Sequence, residues 1–321
     1  MNKIEHIVLN SSPVKYLINK SKEVTLPGFE GLPVYDVASF FINQVEKIGL
    51  TERASSIAFN FLMAIPAATI FLCTLIPYMP ISDEIGSELL ILANDFTPDV
   101  NTFFAVEKFL KDFLKTPRSG LLSLGFFLAV YYSSNAMIRI MHTFNKSLIE
   151  LSRRNFIESR WMAIKLTTLV ILMVIAALML LITQGELLQR LLKWMNIVDP
   201  TLKSLIESLR YVIIIALVYY AIAFIYKYAP AIDKRWKLSS PGTILATALT
   251  ILTILLFSFW VNKFGNYNKI YGSIGTIFII MLLNYLNSYI LLIGFELNVS
   301  IYAVKKQRDQ KIKQESLDTM K

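Results

Sequence analysis

The segment "ASSIAFNFLMAIPAATIFLCTLIP", residues 54–77, runs for 24 residues without one Asp, Glu, Lys or Arg. An α-helix rises about 1.5 Å per residue, so this stretch reaches roughly 36 Å. That is enough to cross a hydrocarbon core ~30 Å thick with some tilt. Thr51 stands where it can cap the helix, and Glu52 falls in the first turn, where negative charge is favoured. Pro66 is expected to kink the helix, because proline brings no N–H to the helical ladder. Asn60 is a polar group inside the span, near that kink.

Five further blocks repeat the pattern, at about 119–141, 162–184, 209–229, 241–262 and 274–298. Pro241 is well placed as a first helical residue. The six blocks predict an all-α, polytopic membrane protein with about six transmembrane helices. Composition agrees: 55% of the 321 residues are hydrophobic and 17% are charged, against about 25% charged in a typical soluble domain. Cys73 is the single cysteine, so no internal disulfide forms. His6 and His142 are the only histidines, and a Cys/His zinc site is not expected.

The start, "MNKIEHIVLN", has no apolar stretch of the signal-peptide kind. Residues 1–33 mix charge with Pro and Gly and are expected to be irregular and cytoplasmic. Val34, Val37, Ala38, Phe41, Val45 and Ile48 then form one apolar stripe at helical spacing. An N-terminal amphipathic helix follows from it. Packing under the bundle is the plainer reading, and lying on the membrane surface is the alternative. Residues 34–300 read as one membrane domain and 301–321 as a charged cytoplasmic tail. Between the first two spans, residues 78–118 carry scattered carboxylates and short apolar runs. They predict an extracytoplasmic helical hairpin with a solvated face, and no metal site, since the carboxylates lack a metal-loop spacing.

The net charge is +9. Of 32 Lys and Arg residues, 22 fall in the N-terminal segment, the 2–3 and 4–5 connections and the tail. This bias predicts that both termini lie in the cytoplasm, consistent with an even number of spans. It also accounts for the basic balance without a nucleic-acid partner, and none is expected.

The sequence from 234 to 301 carries a motif pair, "FGNYNKIYGSIG" and "IGFELN". Together with "LPVYDVASFF", "LTERASSIAFNFLMAIP" and "GLLSLGFFLAVYYSSNAMIRIMHTFN" it resembles the YihY/BrkB family over roughly residues 32–300. The resemblance implies a bacterial inner-membrane protein with six spans. Some family members once carried a ribonuclease BN label, now regarded as a misassignment, and others are called virulence or serum-resistance factors. A transporter-like role is often supposed for the family.

Polar groups inside spans are costly and mark candidate sites. Tyr132, Asn135, Arg139, His142 and Lys146 share one face of the second span. Snorkelling of the cations to headgroups is the plain reading; a cationic vestibule for a small anionic or lipid substrate is the functional one. Asn284, Asn287, Ser288 and Asn298 form a stripe in the sixth span, read either as interhelical glue or as a polar path. Glu296 points about 120° away from that stripe and is expected to pair with a cation such as Arg139. Thr243, Ala246, Thr247, Thr250 and Thr253 give the fifth span a packing stripe. In the loop between the last two spans, Phe264, Gly265, Tyr267, Asn268, Tyr271, Gly272 and Gly275 carry the family motif. Turn chemistry is its plainer reading, the lip of a pore the alternative.

Three function classes follow. The first is a transporter-like or lipid- and anion-handling protein, with a cavity lined by Asn60, Asn135, Arg139 and Asn284. The second is a non-catalytic envelope or assembly protein. The third, distant, is a membrane ribonuclease, which the residues do not favour: neither a catalytic constellation nor a cofactor motif is found. The lipid bilayer is the expected partner, and a homo-oligomer is left open.

Overall fold

The computed structural model describes residues 12–78, 82–96, 100–115, 117–148, 154–182, 200–232, 236–263 and 273–318. The helices are α1 (Ser12–Glu23), α2 (Val34–Ile48), α3 (Leu50–Leu75), α4 (Ser82–Phe96) and α5 (Val100–Lys115). They continue as α6 (Ser119–Ser147), α7 (Phe156–Ile182), α8 (Pro200–Tyr228), α9 (Pro241–Lys263) and α10 (Ser273–Asp318). Among the described residues there is no strand. Helices α3, α6, α7, α8, α9 and α10 are each long and apolar enough to cross a membrane, so the chain is an all-α polytopic membrane protein.

The six spanning helices form a closed ring. Each packs on its neighbour in the order α3, α6, α7, α8, α9, α10, and α10 returns to α3. Spanning helices that follow one another along the chain tend to pack as neighbours. An aromatic cluster fills the interior between α6, α8 and α10. Phe144 and Phe295 stack with ring centroids 3.6 Å apart, Tyr226 meets both edge-on, and Trp236 closes on Phe295 at 5.2 Å. Many large side chains on the outside of the ring are exposed, such as Phe127, Leu255, Phe259 and Phe278. In a membrane helix these face lipid.

The amphipathic helix α2 packs beneath the bundle. Val37 is fully buried in a small cluster with Phe29, Leu32 and Ile301, so the stripe meets α10. A single residue, Gly49, separates α2 from α3. Its backbone is left-handed, with φ 66° and ψ 55°, a conformation that glycine adopts without penalty. Gly49→Ala is expected to lower stability by roughly 1–2 kcal/mol, read as a lower melting midpoint of the purified protein in detergent. An unchanged midpoint would show that the corner relaxes freely.

Three expectations need correction. Residues 1–33 are not irregular throughout, since α1 occupies Ser12–Glu23. Ser12 and Pro13 open that helix, no Gly or Pro interrupts the remainder, and Lys20 and Lys22 suit its C-terminal end. Thr51 does not cap α3; the helix starts at Leu50 and Gly49 takes the cap position without a side-chain bond. The tail from 301 is not a separate segment, because α10 continues unbroken for 46 residues. Nothing after Asn298 breaks a helix, and Lys305 and Arg308 tie the extension to Glu30 and to the Gly31 carbonyl.

The expected hairpin between the first two spans is present as α4 packed on α5. Arg118 grips both oxygens of Asp112, at 3.0 and 2.9 Å, joining the end of α5 to the start of α6. Helix α3 runs through Pro66 as one element.

Candidate functional site

Helices α3 and α6 pack antiparallel. Phe71 lies against Phe126 at one end, and Arg53 bonds Ser147 at the other. The beginning of α3 therefore stands beside the end of α6, with Ile48 of α2 closing the third side. A cavity of about 540 Å³ opens there. From α3 it is lined by Glu52, Arg53 and Ser56; from α6, by Arg139, His142, Thr143 and Lys146. On α6 these are the i, i+3, i+4 and i+7 positions of one helical stripe, and the antiparallel register sets which residues of α3 face it. Arg139, His142 and Lys146 are exposed to the cavity mouth, whereas Arg53 is half-buried. Three permanent cations thus face one carboxylate, and the site is electropositive.

Behind Arg53 lies Glu296 of α10, with no exposed surface. The Ser147 hydroxyl donates to Glu296 Oε1. Arg53 Nη1 donates to Ser147 Oγ at 2.8 Å and lies 3.9 Å from Glu296 Oε1. The second oxygen, Oε2, is buried and has no hydrogen-bond partner. A buried carboxylate needs a counter-charge and satisfied lone pairs to be tolerable; here one arginine supplies the counter-charge and one hydroxyl serves Oε1, while Oε2 goes unserved. The Glu296–Arg139 pairing expected from sequence is therefore corrected: the cation is Arg53. Arg139 projects on the cavity face of α6, while Ser147, two turns on, faces α10.

The polar stripes settle differently. Asn135 turns to α7, where its Oδ1 accepts from Arg160 Nη1 at 2.6 Å, and Arg160 also covers the Tyr131 ring. Asn60 bonds back to the Ser56 carbonyl of its own helix. Asn284 Nδ2 reaches across to the Ala58 carbonyl of α3 at 2.8 Å, and Ser288 bonds the Asn284 carbonyl. Asn287 Oδ1 is buried without a hydrogen-bond partner. Of the four residues expected to line a cavity, Arg139 lines this one; Asn60, Asn135 and Asn284 bond as just described. Asn298 joins α10 to α9, accepting from the Gly242 N–H and donating to Ser240 Oγ, both at 2.9 Å.

Phe264, Gly265, Tyr267, Asn268, Tyr271 and Gly272 lie outside the described residues. Gly275 falls in the first turn of α10. Sequence reasoning missed Arg53 and Ser147. Arg53 looks like an ordinary cation at a span entrance, and only the antiparallel register of α3 and α6 gives it a role. Among the described residues no three His, Cys, Asp or Glu side chains converge as a metal site would require.

A family model described as virulence factor BrkB matches residues 41–318. A ribonuclease-like protein of Bacillus subtilis (strain 168) is 28% identical over 259 residues, covering 81% of this chain and 92% of its own length. A UPF0761 membrane protein of Idiomarina loihiensis is 32% identical over 85 residues, covering 26% of this chain and 30% of that protein. Another, from Tolumonas auensis, is 30% identical over 98 residues, or 30% of this chain and 31% of that protein. No solved structure matches.

Proposed function

We propose, from the premise that this chain belongs to the virulence factor BrkB family of membrane proteins, that it binds and handles an anion at the α3–α6 cavity. The ligand chemistry is a tetrahedral oxyanion, carried either by a free ion or by a lipid headgroup. The observation that carries this reading is the cavity's charge: Arg53, Arg139 and Lys146 against Glu52 alone, in about 540 Å³. Arginine and lysine clusters are the usual readers of such groups.

The cavity belongs on the cytoplasmic side, together with α2 and both ends of the chain. What supports this is the location of 22 of the 32 Lys and Arg residues on that side. The membrane in question is the bacterial inner membrane. The envelope reading is favoured by the family description alone, and the ribonuclease-like name of the Bacillus relative finds no residue constellation in the cavity to act through.

Each hydrogen bond to a charged group contributes about 1.5–3 kcal/mol, so each lost cation weakens binding roughly tenfold or more. Arg139→Gln with Lys146→Gln is therefore expected to lower affinity for inorganic sulfate, or for short-chain phosphatidylglycerol, about a hundredfold. Calorimetric titration of the protein in phosphatidylcholine nanodiscs measures it. Equal binding by wild type and the double variant would remove the cavity as the site.

A further inference from the structure

We infer that Glu296 is a proton-binding site coupled to anion occupancy of the cavity, so that an oxyanion and a proton bind together. This rests on the anion-binding reading above. Arg53 has two claims on it. It is one of the cations lining the cavity, and it is also the only cation within salt-bridge distance of Glu296 among the described residues. In the structure Arg53 bonds Ser147 and balances the carboxylate. An oxyanion entering the cavity draws the guanidinium toward itself. Glu296 is then a fully buried carboxylate without its counter-charge, and Oε2 already has no hydrogen-bond partner. Such a group becomes neutral rather than stay charged in a dry interior.

The step balances simply. A hydronium ion gives its proton to Glu296 Oε2; an O–H bond forms, one water is released, and nothing is oxidised or reduced. Ser147 keeps its bond to Oε1 in both states. By linkage the coupling is reciprocal: a protonated Glu296 frees Arg53 and tightens anion binding.

The other groups facing Glu296 leave it as the acceptor. From α8, Tyr226 is within electrostatic reach, but its hydroxyl is committed to the Leu291 carbonyl at 2.7 Å. At the start of α9, Ser240 and Gly242 bond Asn298 and Thr243 bonds Ser240, so hydroxyls and backbone rather than ionisable groups stand there. On α2, Glu46 and Lys47 are exposed. Glu52 and His142 also line the cavity, beside Arg139 and Lys146, and the test must separate these two from Glu296.

The experiment uses the full chain in phosphatidylcholine nanodiscs. Two probes are titrated, inorganic sulfate and dihexanoyl phosphatidylglycerol, in buffers of differing ionisation enthalpy, which counts protons taken up. Both probes stay ionised near neutral pH, so any proton goes to the protein. Wild type is expected to take up a proton on binding and to bind more tightly as pH falls. Glu296→Gln is expected to bind about tenfold tighter near neutral pH, with no uptake and little pH dependence. Which probe binds identifies a free oxyanion or a headgroup as the source. Uptake that survives in Glu296→Gln but disappears in His142→Gln or Glu52→Gln overturns the inference, as does binding by wild type without uptake. Failure of both probes to bind wild type overturns the anion-binding reading itself, and the coupling with it. Should Glu296→Gln not fold, infrared difference spectra of wild type decide. A protonated-carboxyl stretch arising on sulfate addition supports the coupling, and its absence overturns it.

Discussion

Gly242→Leu is expected to keep the helical ring from closing. Helices α9 and α10 cross at Gly242 and Gly294, backbone against backbone. A Cβ on Gly242 would fall on the Gly294 carbonyl oxygen and come within 2.7 Å of the Asn298 amide carbon and nitrogen. A Cβ on Gly294 would meet the Gly242 carbonyl at 2.6 Å and the Ala246 methyl at 2.7 Å. These neighbours are backbone or pinned: Asn298 already holds the Gly242 N–H and Ser240 Oγ. A leucine must push the helices apart, which overpacks the crossing by about 1–3 kcal/mol and strips two buried hydrogen bonds of about 1 kcal/mol each. The total is about 3–5 kcal/mol, a large part of the stability of most domains. Loss of monodisperse protein after mild heating, followed by size-exclusion chromatography, measures it. Ile244→Leu is the control: Ile244 is 57% exposed on the same helix and should behave as wild type. A Gly242→Leu protein with the wild-type midpoint would mean that the two helices do not meet there.

The second large effect concerns Arg53. Arg53→Ala is expected to destabilise the protein by roughly 3 kcal/mol, the low end for breaking a buried pair, because 17% of the arginine side chain is exposed while Glu296 has no exposed surface. Most of that loss comes from the carboxylate left behind rather than from the pair itself. Arg53→Ala with Glu296→Gln should therefore be more stable than Arg53→Ala alone. A double-mutant cycle on melting midpoints resolves the coupling. Additive losses would show that Arg53 and Glu296 act independently, despite the 3.9 Å between them.

The spans were legible because long uncharged apolar runs, 16 residues in the fourth span and 20 or more in the others, leave few alternatives to a membrane helix. The packing of α9 was legible too: Thr243, Ala246 and Thr247 are buried, as small residues on one face predict. Helical period also placed Arg139, His142 and Lys146 on a common face, and all three line the cavity. Contacts between helices distant in sequence were not legible. Residue types on α6 and α10 identify Glu296 as needing a cation but do not say which helix end delivers one, and Arg139 was a reasonable but mistaken partner. Nor were the partners of Asn60, Asn135 and Asn284 legible: a carbonyl of the same helix, a guanidinium of α7 and a carbonyl of α3. The extension of α10 was masked by its charge, which reads as solvated tail although nothing in it opposes a helix.

That extension has a mechanical side. An unbroken helix of 46 residues is about 69 Å long, and the part beyond Asn298 projects about 30 Å. A rigid rod of that length is a pointer. Tilting α10 by ten degrees within the bilayer would sweep its far tip sideways by about 5 Å. The rod is also held near its fulcrum, by Lys305 on Glu30 and Arg308 on the Gly31 carbonyl. Gly28, in the same loop, sits against Pro241 at the start of α9. Any movement at the crossing of α9 and α10 would be passed to the loop through these contacts and magnified along the rod, where a pair of distance labels would read it far from the membrane.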